Sequence, residues 1–242
     1  MIFIRAFRAV DDEATCYKFS EGHSKLLEIY GVTKITSNNI EWIYRKGTIV
    51  ITVESEDRTR VYGGARIEMS DGVTPLPMQN AVAHYDPRVN TIVTPGSAEL
   101  CGLWNSREIA GMGIGSVLLI RVAAALMGLL PIKQNFMFCA PSTVRMGSRI
   151  GGILVKDIGN NGLFYYPKDD LITTALIVPD PLTLSHADPA ERELIFELRN
   201  NPNAFKKETG PKGKMEVQYE LGMPAVEIEN FFLGDISQYH NA

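Results

Sequence analysis

The chain has 242 residues, enough for one substantial core and short for two. Hydrophobic residues make up 45% and charged residues 21%, a balance that excludes a disordered or fibrous chain. Acidic residues number 28 against 24 Lys plus Arg and no long basic run occurs, so nucleic acid is excluded as a partner on electrostatic grounds. Cys16, Cys101 and Cys139 are far apart and odd in number, which points to a reducing compartment, with the cytoplasm the expected location. Arg5 and Arg8 interrupt the apolar N-terminus, which is not the layout of a signal peptide. His23, His84, His186 and His240 lack ligand spacing, and no metal is expected.

Ile2 to Phe7 reads as a strand, and Asp11 with Asp12 opens a helical run that Gly31 closes. Ser37 or Asn38 is placed to cap a second, short helix through Ile40, Trp42 and Ile43. Thr48 to Val53 and Arg60 to Met69 predict a strand pair with a bulge at Gly63 and Gly64. The prolines and glycines between Met69 and Gly96 predict a long loop, and Ala98 to Asn105 returns to strand. Ile109 to Leu130 carries only Ser116 and Arg121 as polar side chains, long enough to cross a bilayer. Its glycines and a mid-span arginine, costing roughly 2.5–3.5 kcal/mol on insertion, predict instead a buried helix behind a glycine loop and no membrane span.

Asn135 to Ala140 reads as a short strand stopped by Pro141, and Ser142 as the cap of a helix to Ile150. Strand, loop, helix, strand, helix makes a unit whose two strands lie parallel and central. Phe164 to Val178 predicts one long strand or a bent pair, and Pro179-Asp180-Pro181 a junction. Asp188, Pro189 and Glu191 then form a helix start, and Met215, Val217, Tyr219 and Leu221 alternate with Glu216, Gln218 and Glu220 as a half-buried strand does. The expected organisation is a domain over 1–180 and a C-terminal extension over 181–242. The extension's apolar residues Leu194, Ile195, Phe196 and Leu198 require burial, either on the core beside the site or in a homodimer.

In Ala110-Gly111-Met112-Gly113-Ile114-Gly115-Ser116 the glycines let successive backbone N–H groups converge at the positive end of a helix dipole, a cradle for phosphate. The same residues suit a plain tight turn between strand and helix. A dinucleotide fingerprint fits less well, because the third glycine falls at Gly115 rather than at position 116 and residues 128–131 hold no acid.

The run Glu99-Leu-Cys-Gly-Leu-Trp-Asn-Ser-Arg-Glu-Ile-Ala-Gly-Met-Gly-Ile-Gly-Ser-Val-Leu-Leu119 resembles the core of the GNAT acyltransferase superfamily. There a strand leads into an Arg/Gln-x-x-Gly-x-Gly/Ala loop and a helix, and the β-α-α-β-β order ahead of it agrees. In that register Gly113 and Gly115 take the motif glycines, and Ala110 takes the Arg/Gln position without a side-chain donor. The strand is also similar to Glu-Leu-Ser/Thr-Arg-Phe-x-Val of the autoinducer (acyl-homoserine-lactone) synthases and their N-acyl amino acid synthase relatives. Gly63-Gly-Ala-Arg-Ile67 and Leu76-Pro77 are similar to their Gly-x-Ala-Arg-Leu and Leu-Pro pieces. Glu99 and Arg66 carry over, while Gly102 stands in place of Arg and Asn105 in place of Val.

The resemblance implies an α/β (α+β) fold: a GNAT-like mixed sheet with a central parallel strand pair joined by a buried helix. It implies an enzyme moving an acyl group from acyl-CoA, or from the phosphopantetheine of an acyl carrier protein, to the amine of a small acceptor. Long acyl chains are the branch reading within the family, and a non-catalytic acyl-thioester-binding module is the alternative from another class. Leu103, Trp104, Asn105 and Ala110 to Ser116 are the expected donor contacts, with backbone N–H near Leu103 to Asn105 facing the oxyanion and Arg66 touching substrate. Trp104 is equally suited to the core. The acceptor ammonium must lose a proton before attack, and Glu99 is the expected base or, alternatively, a structural glutamate in a salt bridge. The family's acid tyrosine falls near Gly147, leaving Tyr165, Tyr166 or Ser148.

Overall fold

A computed structural model of the chain describes residues 1–32 and 39–223. Asp12 accepts the amide of Thr15 and so starts α1 (Glu13–Ile29) after β1 (Ile2–Arg8). A 3₁₀ turn (Glu41–Tyr44) precedes β2 (Thr48–Ser55) and β3 (Val61–Met69), and the caps assigned to Ser37 or Asn38 fall outside the described residues. The stretch expected as loop holds two short helices, α2 (Pro77–Val82) and α3 (Val89–Ile92). Pro77 occupies the first turn of α2, where its missing N–H costs nothing, so it begins the helix instead of breaking it.

The central unit follows as β4 (Ser97–Asn105), a π-helical turn (Ile114–Leu118), α4 (Leu119–Met127), β5 (Gln134–Cys139) and α5 (Pro141–Arg149). Ala140, not Ser142, is the cap residue of α5, because Pro141 supplies its first helical position. A two-residue β6 (Ile153–Leu154) is followed by β7 (Leu163–Tyr165) and β8 (Ile172–Val178), the bent pair. The remainder is α6 (Pro189–Asn200), β9 (Phe205–Gly210) and β10 (Gly213–Glu220). Ile109 to Leu130 is thus divided among a 3₁₀ turn, a π turn and a nine-residue helix, and no described helix is long and apolar enough to cross a membrane.

Ten strands form one mixed sheet ordered β6-β8-β5-β4-β3-β2-β1-β10-β9, with β7 on β8. β4 and β5 are parallel, as are β1 and β10. One face packs Ala65, Ile67, Ala98, Leu100 and Met137 against α4, which is buried at every position including Arg121. The opposite face carries Gly64, Arg66, Glu68 and Glu99 beneath α1 and α2. A Cβ at Gly64 would strike the Phe19 ring and the Ile51 carbonyl, so this glycine serves close approach of α1. The β2–β3 irregularity falls beside it, between Val53 and Glu54.

The last third of the chain joins the same sheet. β10 alternates as expected, Met215, Val217 and Tyr219 entering the core, and Ile195 and Leu198 of α6 bury against α4 while Leu194 stays 38% exposed. Arg199 caps α4 by donating to the carbonyls of Ala124 and Ala125. Glu191 accepts from Arg121 Nε at 2.5 Å and from Arg149 at 3.0 Å, a buried carboxylate between two guanidinium groups. Removing one member strands the others' charge. Glu191→Ala is expected to cost about 3–5 kcal/mol in urea unfolding; the double replacement Arg121→Met with Glu191→Leu is expected to recover most of it.

Candidate active site

Parallel pairing between β4 and β5 runs only from Ser97–Gln134 to Leu100–Met137. Beyond it the register of β4 against β3 slips between Arg66–Cys101 and Gly64–Trp104. Gly102 sits at the slip with φ +60°, a left-handed conformation that an arginine would adopt only with strain, and a Cβ there would approach the Arg66 guanidinium at 3.2 Å. The departure from the family strand at Gly102 is therefore built into this bulge. β4 leans away from β5, and a cleft of about 550 Å³ opens between them.

Its floor is Glu99 to Leu103 from β4 and Met137 to Cys139 from β5. One wall is His23 and Leu27 of α1 with Met78 and Ala81 of α2; another is Tyr166 to Lys168 and Leu171; Thr143 and Gly147 of α5 close the far side. Most of this surface is apolar. Ile120 of α4 lines the cleft and also a separate small depression of about 10 Å³ with Val117, Met146, Arg149, Ile150 and Glu191.

Glu99 is 2% exposed and makes no ion pair among the described residues; its carboxylate accepts only the Met78 amide, at 2.7 Å. Burial, reinforced by the neighbouring Glu68, pushes its pKa up to about 8, against the weaker pull of the Met78 amide and Arg66. Arg66 is occupied elsewhere. It is 1% exposed, bonds Glu68 at 2.9 Å, and lies 4.3 Å above the Trp42 ring, outside the residues that line the cleft. Glu68 takes a second cation, Arg45, at 2.9 Å. Cys101 contacts this pair and its thiol is held well above the usual range by burial.

The other expected positions divide. Leu103 lines the cleft, whereas Trp104 is 4% exposed and packs edge-on to Phe19 as core. Asn105 lies against Gly115, where a Cβ would collide with its side-chain oxygen. Gly111 and Gly113 have φ +80° and +82°. Both face the β9–β10 tip: a Cβ at Gly111 would meet Lys212, one at Gly113 would meet Pro211, and Lys212 donates to the Ala110 carbonyl. The glycines thus satisfy the turn and the hairpin on one side. On the other, the amides of Gly113, Ile114, Gly115 and Ser116 have no hydrogen-bond acceptor among the described residues, because the π turn is first closed by Val117 and Leu118 donating to Gly113. Met112, between the two glycines, spends its amide on Ile109.

Of the candidate acids only Tyr166 reaches the cleft. No cluster that suits a metal occurs among the described residues. Among the described residues none that lines the cleft lies beyond Thr173, and α6 and the final hairpin pack against α4 and the glycine loop instead. His23 and Met78 were not singled out in the sequence, since neither has a motif around it.

No protein-family model and no curated protein matches the chain. Solved structures do. BjaI, a CoA-dependent acyl-homoserine lactone synthase solved with SAM and isopentyl-CoA, is 13% identical, covers 96% of this chain and 100% of its own, and superposes with a TM-score of 0.62. FeeM, an N-acyl amino acid synthase from uncultured soil microbes, is 15% identical over 79% of this chain and 98% of its own, with a TM-score of 0.53. MesI, another CoA-dependent acyl-homoserine lactone synthase, is 12% identical over 84% and 97%, also at 0.53. The chain shares the mixed α/β fold of these synthases, over 79–96% of its length.

The Glu99 environment can be read from stability. Its folded pKa of about 8 exceeds its ordinary 4.5, so the associated stabilisation is complete below the lower value and lost as pH rises through the higher one. Glu99→Gln, which does not titrate, is expected to gain melting temperature relative to the unaltered chain as pH goes from 5 to 9; a gap that stays constant contradicts the raised pKa.

Proposed function

We propose that the chain is an N-acyltransferase moving an acyl group from an acyl thioester to the amine of a small acceptor. The observation that carries this reading is a sealed, proton-holding carboxyl, Glu99, at the point where two parallel strands part beside a loop with four free amides. An acyl-CoA donor suits the loop amides, which would hold its phosphates while its acyl end reaches into the cleft beside Leu103 and Ile120. The phosphopantetheine of an acyl carrier protein carries one such phosphate and suits the same path. The apolar lining favours an acyl chain longer than acetyl, in keeping with the synthase branch of the fold.

In the reaction the acceptor nitrogen adds to the thioester carbonyl carbon. The carbon–sulfur bond then breaks, and the sulfur leaves as thiolate or, taking a proton, as thiol. The proton shed by the amine passes to the Glu99 carboxylate. Amides exposed where β4 departs from its partner, near Leu103, face the developing oxyanion. The acceptor enters from the α1 and α2 side, the face that carries Glu99.

Thiol release from octanoyl-CoA with a panel of primary amines tests the reading, alongside calorimetric titration with CoA and octanoyl-CoA. Turnover is expected to rise with pH through about 8, as Glu99 gains its base form. Glu99→Gln is expected to flatten that profile and lower kcat by about 10²–10⁴ while leaving donor affinity within a few-fold. Binding without thiol release would make the chain an acyl-thioester-binding module; no binding of either CoA species or of a holo acyl carrier protein would overturn the donor assignment.

A further inference from the structure

His23 is 4% exposed and lines the cleft, yet among the described residues its ring nitrogens have no hydrogen-bond partner. The Phe19 ring lies 6.2 Å away between centroids, and the sheet beneath brings the Arg66 guanidinium near enough to act on the ring. Packing alone would be served better by leucine or phenylalanine, because an imidazole that meets solvent only through a cleft gives up most of its hydrogen bonds to water and gains none from the described residues around it. A buried polar group whose remaining open side is a cavity takes its partner from what enters the cavity.

We propose that His23 binds the acceptor, one ring nitrogen accepting a hydrogen bond from the amine that is to be acylated. The assignment rests on the acyl-transfer reading above. α1 covers the sheet face that carries Glu99, so imidazole and carboxyl address the same compartment from the helix and from the strand. Two neighbours decide the form of the ring. Burial first, and the Arg66 guanidinium second, hold its pKa down to about 4, so at neutral pH the ring is uncharged and keeps a free acceptor lone pair. An amine that has given one proton to Glu99 still carries N–H bonds. One of these, donated to His23, turns the nitrogen lone pair away from the helix and toward the gap between β4 and β5, where the thioester carbonyl would sit. The uncharged ring also leaves the donor's phosphates, on the far side of the sheet, untouched.

The test uses the full chain, octanoyl-CoA as donor, and ethanolamine, glycinamide, homoserine lactone and SAM as acceptor probes. With the best probe, His23→Leu is expected to raise the amine KM about tenfold, the loss of one hydrogen bond, with calorimetric affinity for octanoyl-CoA unchanged. His23→Gln, whose amide keeps an acceptor oxygen, is expected to restore most of that KM. An unchanged amine KM in His23→Leu overturns the assignment. So does a joint fall of melting temperature and donor affinity in both variants, which would make His23 a packing residue. If the unaltered chain releases thiol with an amine, the acyl-transfer reading stands whatever the variants do; if it releases none with any probe, that reading falls and the role of His23 with it.

Discussion

The parting of β4 from β5 after Leu100 and Met137 is the constraint from which the site follows. Two paired parallel strands bury every backbone group and leave no room for a substrate. Gly102, in a left-handed conformation at the bulge, turns β4 out of the ladder while β3 continues to hold its other edge. The opened ladder provides both a gap wide enough for an acyl chain and backbone amides without strand partners. A helix-buried core on one face and α1 on the other keep the gap from collapsing. The cleft itself is reached from the face walled by His23 and α2.

Charge is distributed around that gap so that Glu99 is left without a partner. The buried Arg66 guanidinium is nearby, but Glu68, Trp42 and Cys101 take it up. Glu99 and Glu68 stand opposite each other in the β3–β4 register, so two carboxyls share one face with one arginine committed to the other partner. Coulomb repulsion and burial then act in the same direction on Glu99, and a single backbone amide from Met78 does not offset them. The α2 helix, begun by Pro77, exists at this position to supply that amide and the apolar roof over the carboxyl.

Sequence legibility follows the range of the interactions involved. The glycine loop, the buried helix behind it, the parallel unit and the alternation of β10 are local patterns, and each is present where the residues indicate it. Glu99 stands out through the likeness of its strand to the synthase motif and its place between Leu100 and Leu103, though a structural salt bridge fits the same residues. Gly102 read as a missing arginine because the bulge that requires a glycine is visible only in the pairing of β3 with β4. Gly111 and Gly113 read as a phosphate cradle or a tight turn, and the hairpin that presses on them, about a hundred residues later, is invisible to either reading. α2 was read as loop because Pro77, without its context, counts as a breaker. His23 shows only a lack of metal-ligand spacing in the sequence, and its place beside the cleft is visible only in the fold.

The central claim is that an acyl thioester threads the gap between β4 and β5. A crystal structure of the chain with a non-hydrolysable thioether analogue of octanoyl-CoA measures this directly. The account predicts the pyrophosphate on the amides of Gly113 to Ser116, the thioether sulfur between Leu103 and Met137, and the acyl carbonyl position facing Glu99. An analogue bound elsewhere, or one whose acyl chain leaves the β4–β5 gap closed and empty, would contradict it.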